Sequence, residues 1–244
     1  MTGATRGLGH GYVLDLSARG AAVAINGRDG DRAHHVAEQV IAQGGRAVAV
    51  PGDVGHADEA AAIVRRAWDE LGPLDAVVNN AGLTQDRTVV HMDDEQWRRV
   101  ISASLDGTFF VCREAVRAWR EASRPGRIVN TSSVAGLHGN VGQANYAAAK
   151  AGVIGFSLSL AKEVGHHGIT VNVVSPRAVT DMTESIPKAR REAFYALQSR
   201  INTLGRPGTP QDVAPLIAFL CSAESGYITG QTIVATGTTG AGVG

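Results

Sequence analysis

Short apolar runs alternate along the chain with longer stretches in which apolar residues return every three or four positions. The runs Ala22–Ile25, Ala47–Val50, Ala76–Val78, Arg127–Thr131, Thr170–Val174 and Thr232–Val234 are β-branched or aliphatic and read as strands. The stretches Gly30–Gln43, Ala57–Leu71, Asp94–Glu121, Gln143–Val164 and Pro210–Cys221 read as amphipathic helices. The last begins well, with Thr209 to cap it and Pro210 in its first position. Strands that are apolar almost throughout, separated by helices, predict a parallel sheet covered on both faces. The expected fold class is therefore α/β, a doubly wound parallel sheet, and such sheets take ligands at the carboxyl ends of their strands. No linker, repeat or low-complexity tract interrupts residues 1–244, which read as one domain.

The start of the chain breaks the pattern. Thr2-Gly-Ala-Thr-Arg-Gly-Leu-Gly9 is a glycine turn that should follow a strand, yet only Met1 precedes it. The first strand of a doubly wound fold is central, so its loss would split the sheet. The expectation is that this strand is truncated and that the natural chain begins several residues earlier, which an intact-mass measurement on native protein tests.

Composition narrows the function. The 244 residues carry no formal net charge, a pI near 7.1, 44% hydrophobic residues and only 5% aromatics. No basic excess points to nucleic acid or an anionic membrane as partner. No secretory signal or bilayer-spanning run is read, and a cytoplasmic location is expected. Cys112 and Cys221 lack metal or redox spacing and read as reduced, buried thiols. The doublets His34-His35 and His166-His167 read as surface residues, and no metal site is expected.

The glycine turn lets backbone approach a pyrophosphate, with the next helix offering amide groups and a partial positive charge. Gly3, Thr5, Arg6, Gly7, Leu8 and Gly9 are candidate dinucleotide contacts, although such a turn alone is a common strand–helix connection. Cofactor type is read after the strand Ala22–Ile25. Where an NAD enzyme places an acid for the ribose hydroxyls, this chain has Gly27 followed by Arg28. Together with Arg6 this favours a 2′-phosphate, hence NADP(H). Asp53-Val54 follows the run Ala47–Val50, where the carboxylate can accept from an adenine amino group. Asn79-Asn80-Ala81-Gly82 follows the run Ala76–Val78, small enough for close cofactor passage.

Tyr146 and Lys150 stand four apart on a predicted helix and so share a face. A cation beside a phenol favours phenolate, so the pair reads as acid–base machinery with a depressed phenol pKa. Ser133 ends the run Ile128-Val-Asn-Thr-Ser-Ser133, thirteen residues earlier.

Taken in order, the glycine turn at 2–9, Asn79-Asn80-Ala81-Gly82, Ser133, Tyr146-xxx-Lys150 and Ser175-Pro176 make the chain similar, nearly end to end, to short-chain dehydrogenases/reductases, which carry a Rossmann-type fold. The stretch from Gly139 to Phe156 is most similar to 3-oxoacyl-acyl-carrier-protein reductases. The resemblance implies that Tyr146 protonates a carbonyl oxygen as hydride arrives, that Ser133 steers that oxygen, and that Lys150 binds the nicotinamide ribose. It also extends cofactor contacts to Asn80, Ala81, Gly82, Pro176, Arg177, Val179 and Thr180. It implies a homotetramer or homodimer, and a carbonyl substrate such as a β-ketoacyl thioester on an acyl carrier protein. An alcohol or hydroxysteroid-type dehydrogenase, or a dinucleotide-binding protein with weak turnover, are the alternatives.

Three positions depart from the family. Ser104 stands where an Asn is thought to hold a helix kink and a proton-relaying water, so a rearranged relay is expected with Ser104 as its catalytic member. Arg177 replaces a Gly after Pro176 and can reach cofactor phosphates or substrate. Thr236 stands where Asp is frequent. The segment 181–205 reads as a substrate lid carrying Lys188, Arg190, Arg191 and Arg200, with Phe194 and Tyr195 as anchors.

Overall fold

The apolar runs fold as parallel strands and the periodic stretches as helices on both faces of them. In chain order the elements are α1 (Gly7–Ala18), β1 (Ala22–Ile25), α2 (Gly30–Ala42), β2 (Arg46–Ala49), α3 (Ala57–Leu71), β3 (Ala76–Asn79), α4 (Asp94–Ile101), α5 (Gly107–Glu121), β4 (Gly126–Thr131), α6 (Val134–His138), α7 (Ala144–Val164), β5 (Ile169–Pro176), α8 (Pro210–Cys221) and β6 (Thr232–Ala235). This computed structural model describes residues 1–179, 192, 195, 196, 199, 200 and 202–237. All six expected strands are present, with ends shifted by a residue or two.

The sheet is divided. β1 pairs with β2, and β3, β4, β5 and β6 form a second sheet in that order, every pair parallel. Met1 and Thr2 bridge the halves at one end. The Met1 amine donates to the Ala24 carbonyl at 3.0 Å, and the Thr2 amide donates to the Val78 carbonyl at 3.0 Å.

Burial explains why the strands are apolar throughout. Ile169–Ser175 of β5 is buried at every residue, because α1, α2 and α8 cover one face of the strands and α3, α5 and α7 the other. Trp119 of α5 is fully buried over Gly126 and donates its indole N–H to the Leu74 carbonyl at 2.5 Å. Each fully buried aliphatic or aromatic side chain of this kind contributes about 1.5–3 kcal/mol.

Two helical expectations are corrected. Asp94–Glu121 is not one helix: a π turn at Ser102–Asp106 separates α4 from α5. There the Thr108 hydroxyl donates to the Ser104 carbonyl at 2.7 Å, competing with the backbone ladder. The sequence reading also left out α1 and α6. Glycine-rich α1 packs against both α8 and the strands, so its apolar residues form no single stripe, and α6 has only five residues. α8 starts as expected, the Thr209 amide and hydroxyl both bonding the Asp212 carboxylate at 2.8 and 2.9 Å.

Candidate active site

The turns that follow β1, β2, β3, β4 and β5 enclose one cavity of about 790 Å³, a volume ordinary for a cofactor and substrate site. Its cofactor half is built by the glycine turn. Gly3 has φ +58°, and a Cβ there would lie 2.7 Å from the Ala81 Cα. The Thr2 hydroxyl accepts from the Asn80 and Ala81 amides at 3.1 Å each, and the Asn80 side chain donates to the Gly3 carbonyl at 2.9 Å. These bonds lock the turn onto the end of β3, far away in sequence.

Gly3, Thr5, Arg6, Gly7, Leu8, Arg28, Asp53, Val54, Asn80, Ala81 and Gly82 all line the cavity. Gly9 does not. A Cβ at Gly9 would collide with the Gly3 carbonyl and the Asn80 side chain, so this glycine serves helix-to-turn packing. Gly27 lines the wall beneath Thr5, whose Cγ2 would stand 2.6 Å from a Cβ at that position. Arg28 and Asp53 approach to 3.8 Å with side chains 62% and 32% exposed, a pair worth little in water. Arg6 and Arg177 carry no ion pair among the described residues. Asp29 and Arg32 also line this half and had not been singled out. Asp29 caps α2 by accepting the Arg32 amide at 3.1 Å, and its place directly after Arg28 was the signal available.

The catalytic half is set by β4 and α7. Ser133 caps α6, accepting the Ala135 amide at 3.2 Å, and hydrogen-bonds the Tyr146 phenol. Buried Asn145 donates to the Gln85 and Gln96 carbonyls at 3.1 and 3.2 Å, which ties the start of α7 to α4 and the loop before it. The buried Lys150 ammonium donates to the Thr131 carbonyl at 2.8 Å and lies 5.7 Å from the centre of the Tyr146 ring. Behind this layer the Asn79 side chain donates to Asn130 at 2.9 Å, and Asn130 donates to the Ser157 hydroxyl at 2.8 Å, joining β3, β4 and α7.

The protonation picture corrects the expectation of a depressed phenol. Burial raises the Tyr146 pKa, the Ser133 hydrogen bond pulls it back, and the Asp86 charge raises it further. Burial also pushes the Lys150 amine down to about 8. Desolvation outweighs the pairing of phenol and cation here, and the ammonium spends a proton on the Thr131 carbonyl.

Ser104 is not in the cavity wall. Among the described residues its buried hydroxyl has no hydrogen-bond partner, and it stands behind Gly82; a Cβ at Gly82 would lie 3.2 Å from it and 3.4 Å from the Lys150 Nζ. Pro176, Arg177 and Val179 line the cavity, as do Thr131, Ser132, His138 and Asn202, which sequence spacing did not reveal. Thr180 and, within the expected lid, Lys188, Arg190, Arg191 and Phe194 lie outside the described residues. Asn202 is held by its bond to the Thr236 carbonyl at 3.1 Å.

A family model described as enoyl-(acyl carrier protein) reductase matches residues 3–238. The chain belongs to the short-chain dehydrogenase/reductase family. It is 42% identical over 235 residues to a 3-oxoacyl-[acyl-carrier-protein] reductase of Synechocystis, covering 95% of this chain and 92% of the relative. It is 40% identical over 238 residues to the FabG protein of Pseudomonas aeruginosa, which bears the same description, covering 97% and 94%. Among solved structures it resembles a putative gluconate dehydrogenase of Agrobacterium tumefaciens, with TM-score 0.90, 30% identity and 97% and 92% coverage. It also resembles a 3-oxoacyl-[acyl-carrier protein] reductase of Brucella melitensis, with TM-score 0.88, 36% identity and 97% and 88% coverage. As a member of this family the chain is an oxidoreductase of carbonyl and hydroxyl groups. No helix of the described residues is long and apolar enough to cross a membrane.

Proposed function

We propose that this chain reduces a β-ketoacyl thioester, presented on an acyl carrier protein, with NADPH. The observation that carries the reading is the convergence of Ser133, Tyr146 and Lys150 on one cavity wall, opposite the glycine turn. The relatives described as 3-oxoacyl-[acyl-carrier-protein] reductases support the substrate class.

The residues present suit a dinucleotide phosphate. The wall offers backbone at Gly3, Gly7 and Gly82, and Arg6, Arg28 and Arg32 around the turn after β1. Thr5 leaves no room at Gly27 for the acidic side chain an NAD site would use, which supports a 2′-phosphate there. NADPH supplies the hydride when bound. The Tyr146 phenol gives its proton to the carbonyl oxygen while the Ser133 hydroxyl donates a hydrogen bond to that oxygen. The raised phenol pKa keeps the proton in place at neutral pH, as an acid requires. The Lys150 ammonium holds ribose hydroxyls and stabilises the phenolate left behind. Ser104 and Lys150 flank Gly82, and a water between their polar ends would return the proton. Pairing of copies through α5 and α7, where Phe109 and Leu158 are exposed, would complete an assembly of two or four chains, each one domain over 1–244.

The test is Tyr146→Phe, assayed by NADPH absorbance with acetoacetyl thioesters and by NADPH binding. Turnover should fall about 10²–10⁴-fold with NADPH affinity nearly unchanged. Retained turnover would refute the reading, and NADPH binding without turnover in the unaltered protein would favour a dinucleotide-binding role.

A further inference from the structure

The wall of the catalytic cavity is unevenly charged. Among the described residues its carboxylates are Asp29 and Asp53, which pair with Arg32 at 3.1 Å and Arg28 at 3.8 Å. All four stand around the turns after β1 and β2, at the dinucleotide-phosphate end. The catalytic side presents Lys150, Arg177 and His138, and among the described residues no carboxylate. Lys150 is committed to the Thr131 carbonyl. The half-buried Arg177 side chain has neither an ion pair nor a hydrogen bond among the described residues. A cation drawn partly out of water without a counter-charge is costly, and an anion beside it removes that cost.

Strand register places Arg177 next to the reacting centre. The Ser132 amide donates to the Val174 carbonyl at 2.8 Å, continuing the ladder in which Thr131 faces Val174. Ser133 therefore comes level with Pro176, and Arg177 stands one residue further along the neighbouring strand end. Parallel neighbours lie about 4.8 Å apart, a gap that an arginine side chain spans. The Arg177 backbone is held on its other side. Its amide donates to the Ala235 carbonyl at 3.0 Å, and a Cβ on Gly208 would collide with its carbonyl. The glycine turn, by contrast, is locked to the end of β3, two strands from β5 and roughly 10 Å away. Arg177 thus faces the ketone end of the cavity rather than the pyrophosphate end.

We propose that Arg177 binds an anionic group of the substrate, so that the cavity also reduces ketones carrying a carboxylate, 3-oxocarboxylates first among them. The inference rests on the ketone chemistry read above and puts a carboxylate where that reading has a thioester. The guanidinium fork matches a carboxylate with two parallel hydrogen bonds, while Ser133 and Tyr146 hold the ketone oxygen. The ketone carbon takes hydride from NADPH and its oxygen takes the Tyr146 proton, giving a 3-hydroxycarboxylate and NADP⁺. The carboxylate itself does not react. A thioester in the same place offers one neutral carbonyl oxygen and leaves the cation uncompensated.

The experiment measures kcat/KM for acetoacetate and for its uncharged methyl ester in the unaltered protein, Arg177→Gln and Arg177→Lys. Acetoacetyl thioester serves as the control for reductase activity, and NADPH affinity is measured by fluorescence titration. The unaltered protein should reduce the acid at least as well as the ester. Arg177→Gln should lower the acid-to-ester ratio of kcat/KM about 10–100-fold, and Arg177→Lys should restore part of it, as a charge without the fork. A ratio that Arg177→Gln leaves in place would overturn the proposal. So would weakened NADPH binding with acid and ester falling together, which puts the guanidinium on the cofactor phosphates. If thioester and ester are reduced and the acid is not, this proposal alone fails. If no ketone is turned over, the reductase reading fails with it.

Discussion

Lys150→Met separates the two demands placed on that side chain. The amine is buried, and its pKa falls from the ordinary 10.5 to about 8 in the folded protein. The folded protein therefore holds this proton less tightly than the unfolded chain does. That penalty is full below about pH 8 and fades as pH rises toward 10.5. A fall of this size corresponds to about 3 kcal/mol at neutral pH. Methionine fills the same space without the charge but loses the 2.8 Å bond to the Thr131 carbonyl, which costs about 1 kcal/mol. The variant should therefore be about 1–2 kcal/mol more stable at neutral pH while losing turnover. Urea denaturation of both proteins at about pH 7 and about pH 10 measures the difference, which should shrink at the higher pH as the unaltered protein sheds its proton. A variant less stable at neutral pH, or a difference that ignores pH, would show that burial does not govern this amine.

Gly9→Ala forces a methyl into the Gly3 carbonyl and the Asn80 side chain and should cost about 1–3 kcal/mol by the same denaturation assay; an unchanged midpoint contradicts the packing role given to Gly9. Arg28→Glu should lower the preference for NADPH over NADH about tenfold or more in kcat/KM, and an unaltered ratio removes Arg28 from the phosphate site. Ser133→Ala removes a hydrogen bond that lowers the Tyr146 pKa, so the pH needed for alcohol oxidation, where the phenolate is the base, should move upward. A profile that stays in place, or moves down, would detach Ser133 from the phenol.

Much of the architecture could be read from local pattern. Apolar runs and 3.6-residue periodicity placed six strands and most helices, and Thr209-Pro210 marked the start of α8 correctly. Motif spacing also picked out Ser133, Tyr146, Lys150 and most of the glycine turn, which line one cavity. The π turn was not foreseen, and Gly9 and Ser104 stand outside the cavity wall, because contacts with Gly3, Asn80 and Thr108 place them rather than spacing. Arg32, His138 and Asn202 carried no motif at all.

The amino-acid order alone determined which residues could form a proton-transfer pair and where a dinucleotide turn would lie, since helix and turn geometry are local. Only the tertiary structure decided that the phenol is raised rather than lowered, because burial by distant segments and the charge of Asp86 act through space. It also decided that Met1 and Thr2 lie bonded between the ends of β1 and β3, since strand pairing depends on neighbours that no local pattern names.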